Sequence, residues 1–188
     1  MFNKKIGVKE NVEYQLKDQN GNTKQLFKLN KFGKFLNNIG IISPEAKNVL
    51  VGSFVDKLVI SNLVTNAGMA DVAGLINGSG SPASFTYIAL GSGSTSADAT
   101  DTTLETEITT NGGARAEAAV SLVTTDVTDD TAQLVETFSF TGALSITESG
   151  VLNAASSGTL LARQVFSTIS VANGDSLQIT WKFDVDTA

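Results

Sequence analysis

The sequence predicts a mainly β protein: an antiparallel β-sandwich, immunoglobulin-like or jelly-roll, with a smaller mixed α/β N-terminal extension. Short apolar alternations, joined by turn signals and without long helices between them, are typical of such sandwiches. The composition agrees, since only 17% of the residues are charged and 17 are Gly. The clearest strand is the closing stretch DSLQITWKFDVD, where strict alternation places one face in a core. That predicted core face consists of Leu177, Ile179, Trp181, Phe183 and Val185.

The first elements predicted along the chain are a hairpin and a short helix. Apolar residues alternate before and after Asn20-Gly21, a strong short-range hairpin signal. The period then changes to i, i+3, i+4 and i+7, which predicts an amphipathic helix with Asn30 as its cap and Gly40 as its stop. We interpret the apolar stripe of this helix as a packing face rather than a ligand site. Its members are Phe32, Phe35, Leu36 and Ile39.

Residues 41–80 give a mixed prediction. The tripeptide Ser43-Pro44-Glu45 could start a helix, whereas KLVISNLV at residues 57–64 is typical of an extended buried segment. A helical turn from Ala67 to Ile76 is weakened by two glycines. The stretch NGSGSPAS that follows predicts a linker.

From residue 85 onward the pattern is uniformly β. Strands are predicted at FTYIALGSG, RAEAAVSLVTTDV and AQLVETFSFTG, with a short helical turn around Leu104 and a chain reversal at TDDT. In the second of these strands, one face is predicted to carry Ala116, Ala118, Val120 and Leu122.

The stretch ITESGVLNAASSGTLLARQVF predicts two more strands around NAASSG. With the turn near Ala155 and Ser156, residues whose numbers sum to about 311 face each other. Glu148 is therefore predicted to lie across from Arg163, or one step off. We interpret the two as a structural cross-strand pair, which contributes about 0.2–1 kcal/mol and sets the register without any catalytic role.

Charge is divided unevenly along the chain. Residues 1–57 contain ten basic and five acidic residues, a net +5, whereas residues 58–188 contain three and fourteen, a net −11. With the linker, this predicts a basic N-terminal docking region at residues 1–80 and a β-sandwich domain at residues 81–188. Deleting residues 1–57 is then expected to leave residues 81–188 folded. Nucleic acid is not an expected partner, because the lysines are spaced apart and no Arg lies among them.

The absence of Cys and His excludes disulfides, thiolate or imidazole nucleophiles and ordinary zinc sites. No signal peptide is recognisable, and no apolar run reaches membrane-spanning length. The sequence therefore predicts a soluble chain made in a cytoplasm, with no membrane partner.

The remaining candidates for chemistry each have a simpler structural interpretation. GSGS at residues 91–94 lacks the further residues of a phosphate-binding loop, and Asp126, Asp129 and Asp130 lack EF-hand spacing, so a plain turn is favoured over a cation site. Trp181 faces inward and is interpreted as a core anchor rather than a sugar platform. The glutamates that could serve glycoside hydrolysis stand in no distinctive motif. They are Glu105, Glu107, Glu117, Glu136 and Glu148. No catalytic residue, metal or cofactor is predicted, and the protein is expected not to be an enzyme.

Three segments together resemble a family of small virion structural proteins of tailed bacteriophages. A strand runs into a Gly-Ser loop with a Thr-Asp-Thr-x-Leu element, and an Arg-initiated strand follows. A Thr-Glu-Ser-Gly hairpin and a closing Asn-Gly-Asp-x-Leu-x-Ile-x-Trp strand complete the likeness, which covers Phe85 to Val185. The resemblance implies a non-enzymatic part of a virion, made in the host cytoplasm and assembled on the head or the tail. It brings no catalytic residues.

Within such a particle, we expect a capsid decoration protein that binds the major capsid protein and forms a homo-oligomer or symmetric array. A tail, baseplate or fibre-attachment component is the alternative, and a carbohydrate-binding module is a more distant one. The residues expected to dock on the partner are Lys24, Lys28, Lys31, Phe32, Lys34, Phe35 and Leu36.

Overall fold

The computed structural model describes residues 6–38 and 52–187, and within them the chain forms thirteen strands and two helices. The elements from the N-terminal part are β1 (Ile6–Lys17), β2 (Thr23–Lys24), β3 (Leu26–Leu29), α1 (Lys31–Asn38), β4 (Gly52–Val55), β5 (Leu58–Ile60), β6 (Leu63–Val64) and α2 (Asn66–Asn77). The remaining strands are β7 (Tyr87–Gly91), β8 (Ala116–Glu117), β9 (Ala119–Val123), β10 (Thr131–Ser139), β11 (Leu144–Leu152), β12 (Leu160–Val171) and β13 (Ser176–Thr187).

The strands form two large antiparallel sheets and one small one. The first sheet has the order β2-β1-β13-β10-β9, with β5 also paired to β1. The second has the order β6-β12-β11-β7-β8, and β3 and β4 form the two-stranded third sheet. The predicted mainly β, antiparallel fold is therefore confirmed. The choice between an immunoglobulin-like and a jelly-roll topology stays a prediction.

The two large sheets pack face to face around one main hydrophobic core. Tyr14 of β1 crosses from the first sheet to the second, where its ring lies 4.4 Å from that of Phe166. Its hydroxyl is hydrogen-bonded to the hydroxyl of Ser149 on β11, with 2.7 Å between the oxygens. Burial raises the pKa of Tyr14, so this phenol stays protonated at any ordinary pH. An aromatic side chain with a satisfied polar end thus joins the two layers.

The alternation of the closing strand is confirmed for most of its length. Leu177, Ile179 and Trp181 are fully buried and Phe183 nearly so, with the Phe183 ring stacked at 5.9 Å on Trp181. Trp181 is therefore a core residue, as predicted. The prediction is wrong at Val185, which is 55% exposed, because the core does not extend to the end of the strand.

The pairing of β1 with β13 corrects the predicted domain boundary at residue 80. This strand pairs with β13 over its whole length, from Ile6 opposite Thr187 to Lys17 opposite Ser176. It also supplies three core side chains, those of Val12, Tyr14 and Leu16. The N-terminal and C-terminal regions share one sheet and one core, because apolar alternation and not net charge decides where a strand packs.

The hairpin and the two helices of the N-terminal part form where predicted. The turn at Asn20-Gly21 places Gly21 at φ 82°, the left-handed region that favours glycine. Asn30 caps α1, its side-chain oxygen accepting the Gly33 N–H at 2.8 Å. The predicted stop at Gly40, the stripe residue Ile39 and the helix start at Ser43-Pro44-Glu45 lie outside the described residues.

Helix α2 packs directly on the second sheet. Thr65 caps it by accepting the Gly68 N–H at 2.9 Å, and the Thr65 hydroxyl donates to the Leu160 carbonyl of β12. A Cβ at Gly68 would lie only 2.6 Å from the Leu161 backbone. The glycine that weakened the helix prediction is thus the residue that lets the helix approach the strand.

Candidate functional site

The β11–β12 hairpin brings Glu148 and Arg163 together, but in a register different from the predicted one. Glu148 lies opposite Val165 and Arg163 opposite Gly150, so the two charged residues are diagonal neighbours. A register shift where β12 begins leaves Leu161 as an extra residue between the pairs of Leu160 and Ala162. This β-bulge moves the pairing by one residue, which the hairpin sequence alone did not indicate.

The contact between the two side chains is direct and fully buried. Arg163 Nε donates to Glu148 Oε2 at 2.7 Å, with Glu148 0% and Arg163 2% exposed. The pair was predicted as a structural cross-strand contact worth about 0.2–1 kcal/mol, with no prediction of its burial. Because the pair is buried, its contribution depends on the hydrogen bonds that both groups make rather than on screened attraction.

Three backbone amides complete the acceptor positions of Glu148. Gly93 and Thr106 donate their N–H groups to Oε1 at 3.0 and 2.8 Å, and Glu105 donates to Oε2 at 3.1 Å. These donors belong to the long segment between β7 and β8. The carboxylate therefore holds this segment against the sheet.

The segment has no helical turn at Leu104, contrary to the prediction. The Glu105 and Thr106 amides are directed at Glu148, and the Ile108 N–H donates to the Leu90 carbonyl of β7, so the backbone does not close a helical turn there. The predicted Gly-Ser loop also gains a structural explanation. A Cβ at Gly91 or Gly93 would collide with the Glu148 side chain.

Arg163 is held from a second side by acidic residues. Its Nη1 donates to Asp101 Oδ2 at 2.9 Å, and Nη2 lies 3.5 Å from Glu105 Oε2. Burial by itself would lower the pKa of Arg163, but the Glu148 and Asp101 contacts outweigh it and raise the pKa. Glu105 in turn accepts the N–H and hydroxyl of Thr95, which lower its pKa.

This arrangement suits a structural role and not proton transfer. A general acid or base must reach a substrate proton, but Glu148 has no exposed surface and both its oxygens already accept two hydrogen bonds. Glu107 forms a two-bond ion pair with Arg115, at 2.9 and 2.7 Å. Arg115 also donates to the Ala154 and Ser157 carbonyls and so fixes the β11–β12 turn, a role that sequence reasoning missed.

The aspartate turn between β9 and β10 is explained by its own hydrogen bonds. Asp130 accepts the N–H groups of Thr125, Asp126 and Val127 at 2.8, 2.9 and 2.6 Å. The Val127 and Thr125 amides hold the pKa of Asp130 well below its usual range. Among the residues that the structure describes, no cluster of acidic residues has the arrangement of a metal site.

The predicted docking residues divide into two groups. Lys24 Nζ binds Asp175 Oδ2 at 2.7 Å, an ion pair that ties β2 to the turn before β13, so this lysine contributes to the fold. The other predicted residues lie on α1 and β3, and all of them except Leu36 are exposed. Phe32 and Phe35 are 49% and 57% exposed, Leu36 is half-buried, and the remaining three are the exposed lysines Lys28, Lys31 and Lys34.

One further exposed aromatic residue lies on β4 and was not selected by the sequence analysis. Phe54 on β4 is 51% exposed and meets Phe27 of β3 edge-on, with 5.3 Å between ring centroids. Its position could not be read from the sequence, because β4 follows residues with no clear period. Phe54 pairs with Phe27 and Lys28 with Ser53, so Phe54 and Lys28 lie on opposite faces of the β3–β4 sheet. We call the exposed set Lys28, Lys31, Phe32, Lys34 and Phe35 the docking surface.

A cleft of about 350 Å³ lies beside the docking surface. Its lining includes Lys28 and Lys34 of the docking surface and Val165 and Phe166 of β12. The side-chain amide of Asn62 in this cleft is buried and makes no hydrogen bond within the described chain. The cleft thus brings two cationic side chains and an unsatisfied amide together.

No helix in the described residues is long and apolar enough to cross a membrane. No protein-family model, no curated protein and no solved structure matches the chain.

Proposed function

We propose that this chain is a non-enzymatic structural protein of a tailed-bacteriophage particle, a capsid decoration protein that binds the major capsid protein through the docking surface. Support comes from the likeness of Phe85 to Val185 to virion structural proteins and from the structural use of Glu148 and Arg163. The proposal concerns the role of the chain in an assembly and requires no cofactor.

The observation that carries the proposal is the placement of the exposed phenylalanines. Nine phenylalanines lie in the described residues, and three of them, Phe32, Phe35 and Phe54, are about half exposed. Phe32 and Phe35 lie together on α1 in the docking surface, and Phe54 lies on β4. Exposed aromatic side chains beside cations are typical of protein interfaces, where buried aromatic anchors supply most of the binding energy.

The charge of the docking surface also supports binding to a capsid protein. The lysines of the docking surface, Lys28, Lys31 and Lys34, are exposed, whereas the chain as a whole carries −6. A locally basic surface on an acidic protein favours an acidic partner surface and speeds association with it. A capsid shell that presents acidic groups around an apolar depression fits both properties.

Copy number tests the decoration role. We expect hundreds of copies per particle by quantitative mass spectrometry against the major capsid protein, with the same ratio on tail-less heads. A dozen or fewer copies, lost with the tail, would overturn the decoration role in favour of a tail, baseplate or fibre-attachment component.

The docking surface is tested by rebinding to heads assembled without this chain. We expect Phe32→Ser/Phe35→Ser to weaken binding at least about tenfold, which corresponds to about 1.4 kcal/mol. The matched control is Met69→Ser/Ile76→Ser on α2, since both side chains are also exposed, at 53% and 83%. Equal binding by the two variants would contradict the assignment of the docking surface.

A further inference from the structure

Strand β9 is a long unpaired edge in the described part of the chain. It is the last strand of the first large sheet and pairs only with β10, from Ala119 opposite Val135 to Val123 opposite Thr131. The terminal strands β2, β6 and β8 are two residues each, whereas β9 has five. Native sheets usually shorten, charge or cover such an edge, because it is a template for another strand.

Two apolar side chains of β9 lie on the core-side face of the first large sheet, beyond the area on which the second sheet packs. Val120 lies opposite Leu134, and Leu134 lies opposite Trp181, so all three are on the core side. Leu134 and Trp181 are 3% and 0% exposed, but Val120 is 59% exposed and Leu122 62%. The opposing sheet therefore does not cover this part of the core face, since the chain leaves that sheet after β8 to form β9. We call Val120 and Leu122 the apolar ledge.

The sequence of β9 is complementary to itself when it is read in the opposite direction. In an antiparallel self-pair centred on Ser121, Ala119 faces Val123 and Val120 faces Leu122. All these pairs are apolar, and β9 contains neither charged residues nor Pro. Pairing across this edge therefore brings no charged side chains of β9 against each other.

We propose that β9 pairs antiparallel with β9 of a second copy, across a two-fold axis at Ser121. The pairing joins the first large sheets of the two copies into one continuous sheet. It supplies partners for the outward-facing backbone groups of β9 and brings the two apolar ledges together. Such an interface is closed and isologous, so it gives a dimer and not a fibre. The inference concerns contact between copies and does not depend on the particle to which the chain belongs.

Charge variants test the register of this interface in the full chain. The molar mass measured by sedimentation should be twice the 19.6 kDa chain mass for wild type at high concentration. The variants Val120→Lys/Leu122→Lys and Val120→Glu/Leu122→Glu should each remain monomeric. Because residue 120 faces residue 122 of the other copy, an equimolar mixture of the two variants should dimerise again. Met69→Lys/Ile76→Lys is the matched control on another exposed apolar surface and should dimerise like wild type.

A cysteine placed on the axis gives an independent readout, since the natural chain contains none. Under mild oxidation, Ser121→Cys should form a disulfide-linked dimer, and Ser170→Cys, an exposed position on β12, should not. A wild-type chain that stays monomeric to about millimolar concentration overturns the proposal, as does dimerisation of the lysine variant. If wild type is monomeric and the lysine variant binds heads more weakly than wild type, the apolar ledge contacts another protein. That result would also overturn pairing between copies.

Discussion

The buried network around Glu148 and the docking surface use charge in opposite ways. In the network, Glu148 and Arg163 are almost fully buried, and their hydrogen bonds go to atoms of the same chain. On the docking surface, Lys28, Lys31 and Lys34 are exposed beside half-exposed phenylalanines. Sequence composition marked the basic segment as the distinctive region, but the residues of that segment differ in role. Its first strand belongs to the core, whereas the exposed residues of β3 and α1 form the surface that we propose for partner binding.

The largest expected effect is on stability and comes from removing β1, which belongs to the core and not to the docking surface. We predict that deleting residues 1–17 unfolds the protein, because it removes Val12, Tyr14 and Leu16 from the core and leaves β13 paired on one side only, with β10. Burial of each of these side chains is worth about 1.5–3 kcal/mol, which together rivals the whole stability of a typical domain. The measurement is thermal unfolding followed by circular dichroism.

This outcome reverses the expectation that residues 81–188 fold alone. Adding a synthetic peptide of residues 1–17 in trans should restore the cooperative transition, which distinguishes loss of a strand from general damage. If the truncated chain melts at the wild-type temperature, β1 is not part of the core and the comparison between the two regions fails.

The second effect tests the buried pair itself. Arg163→Met should cost about 3–5 kcal/mol in the free energy of unfolding, because it leaves Glu148 buried without its charged partner. Glu148→Gln should be destabilising as well, and the double variant should cost less than the sum of the two by about 1–3 kcal/mol. Urea denaturation measures all three values.

An exposed ion pair of the same chain provides the matched control. Lys57 Nζ lies 2.7 Å from Glu13 Oε1, with side chains 53% and 31% exposed. Lys57→Met should cost no more than about 1 kcal/mol, since solvent screens this pair. Equal costs for Arg163→Met and Lys57→Met would contradict the structural role of the buried network.

Parts of this fold could be predicted from the sequence, and there are physical reasons why other parts could not. The alternation of β13 and the Asn20-Gly21 turn are local patterns, so they were recognised correctly. The pairing of β1 with β13 joins residues about 170 positions apart, and no local pattern records a partner at that distance. Glu148 and Arg163 were identified as a pair. Their burial was missed because it depends on backbone amides from a separate segment.

The third effect is a pH dependence that belongs to the Asp130 turn. Because the folded-state pKa of Asp130 lies below its unfolded value of about 3.9, its stabilising contribution is present above that value. It is lost as the pH falls through the folded-state pKa. Asp130→Asn should therefore be less stable than wild type at pH 7, and the difference should shrink steadily below about pH 4.

Urea midpoints measured at intervals from pH 7 to pH 2.5 check this prediction. Asp129→Asn is the control, because Asp129 has a left-handed backbone that Asn tolerates, at φ 61°, and its carboxylate accepts none of the hydrogen bonds found in this turn. A gap between wild type and Asp130→Asn that stays constant with pH would show that the Asp130 carboxylate does not hold the turn.

The smallest expected effect on stability is that of replacing exposed phenylalanines. It compares phenylalanine on the docking surface with phenylalanine in the core. Phe32→Ser/Phe35→Ser should change the free energy of unfolding by no more than about 0.5 kcal/mol per site, since both rings are about half exposed. Phe138, in contrast, is 3% exposed on β10, and Phe138→Ala should cost about 3–5 kcal/mol. Urea denaturation compares the variants, and a cost above about 2 kcal/mol for the α1 variant would place its rings in the core of the isolated chain. A near-zero cost with weakened binding to heads would mean that these phenylalanines stabilise the assembly and not the fold.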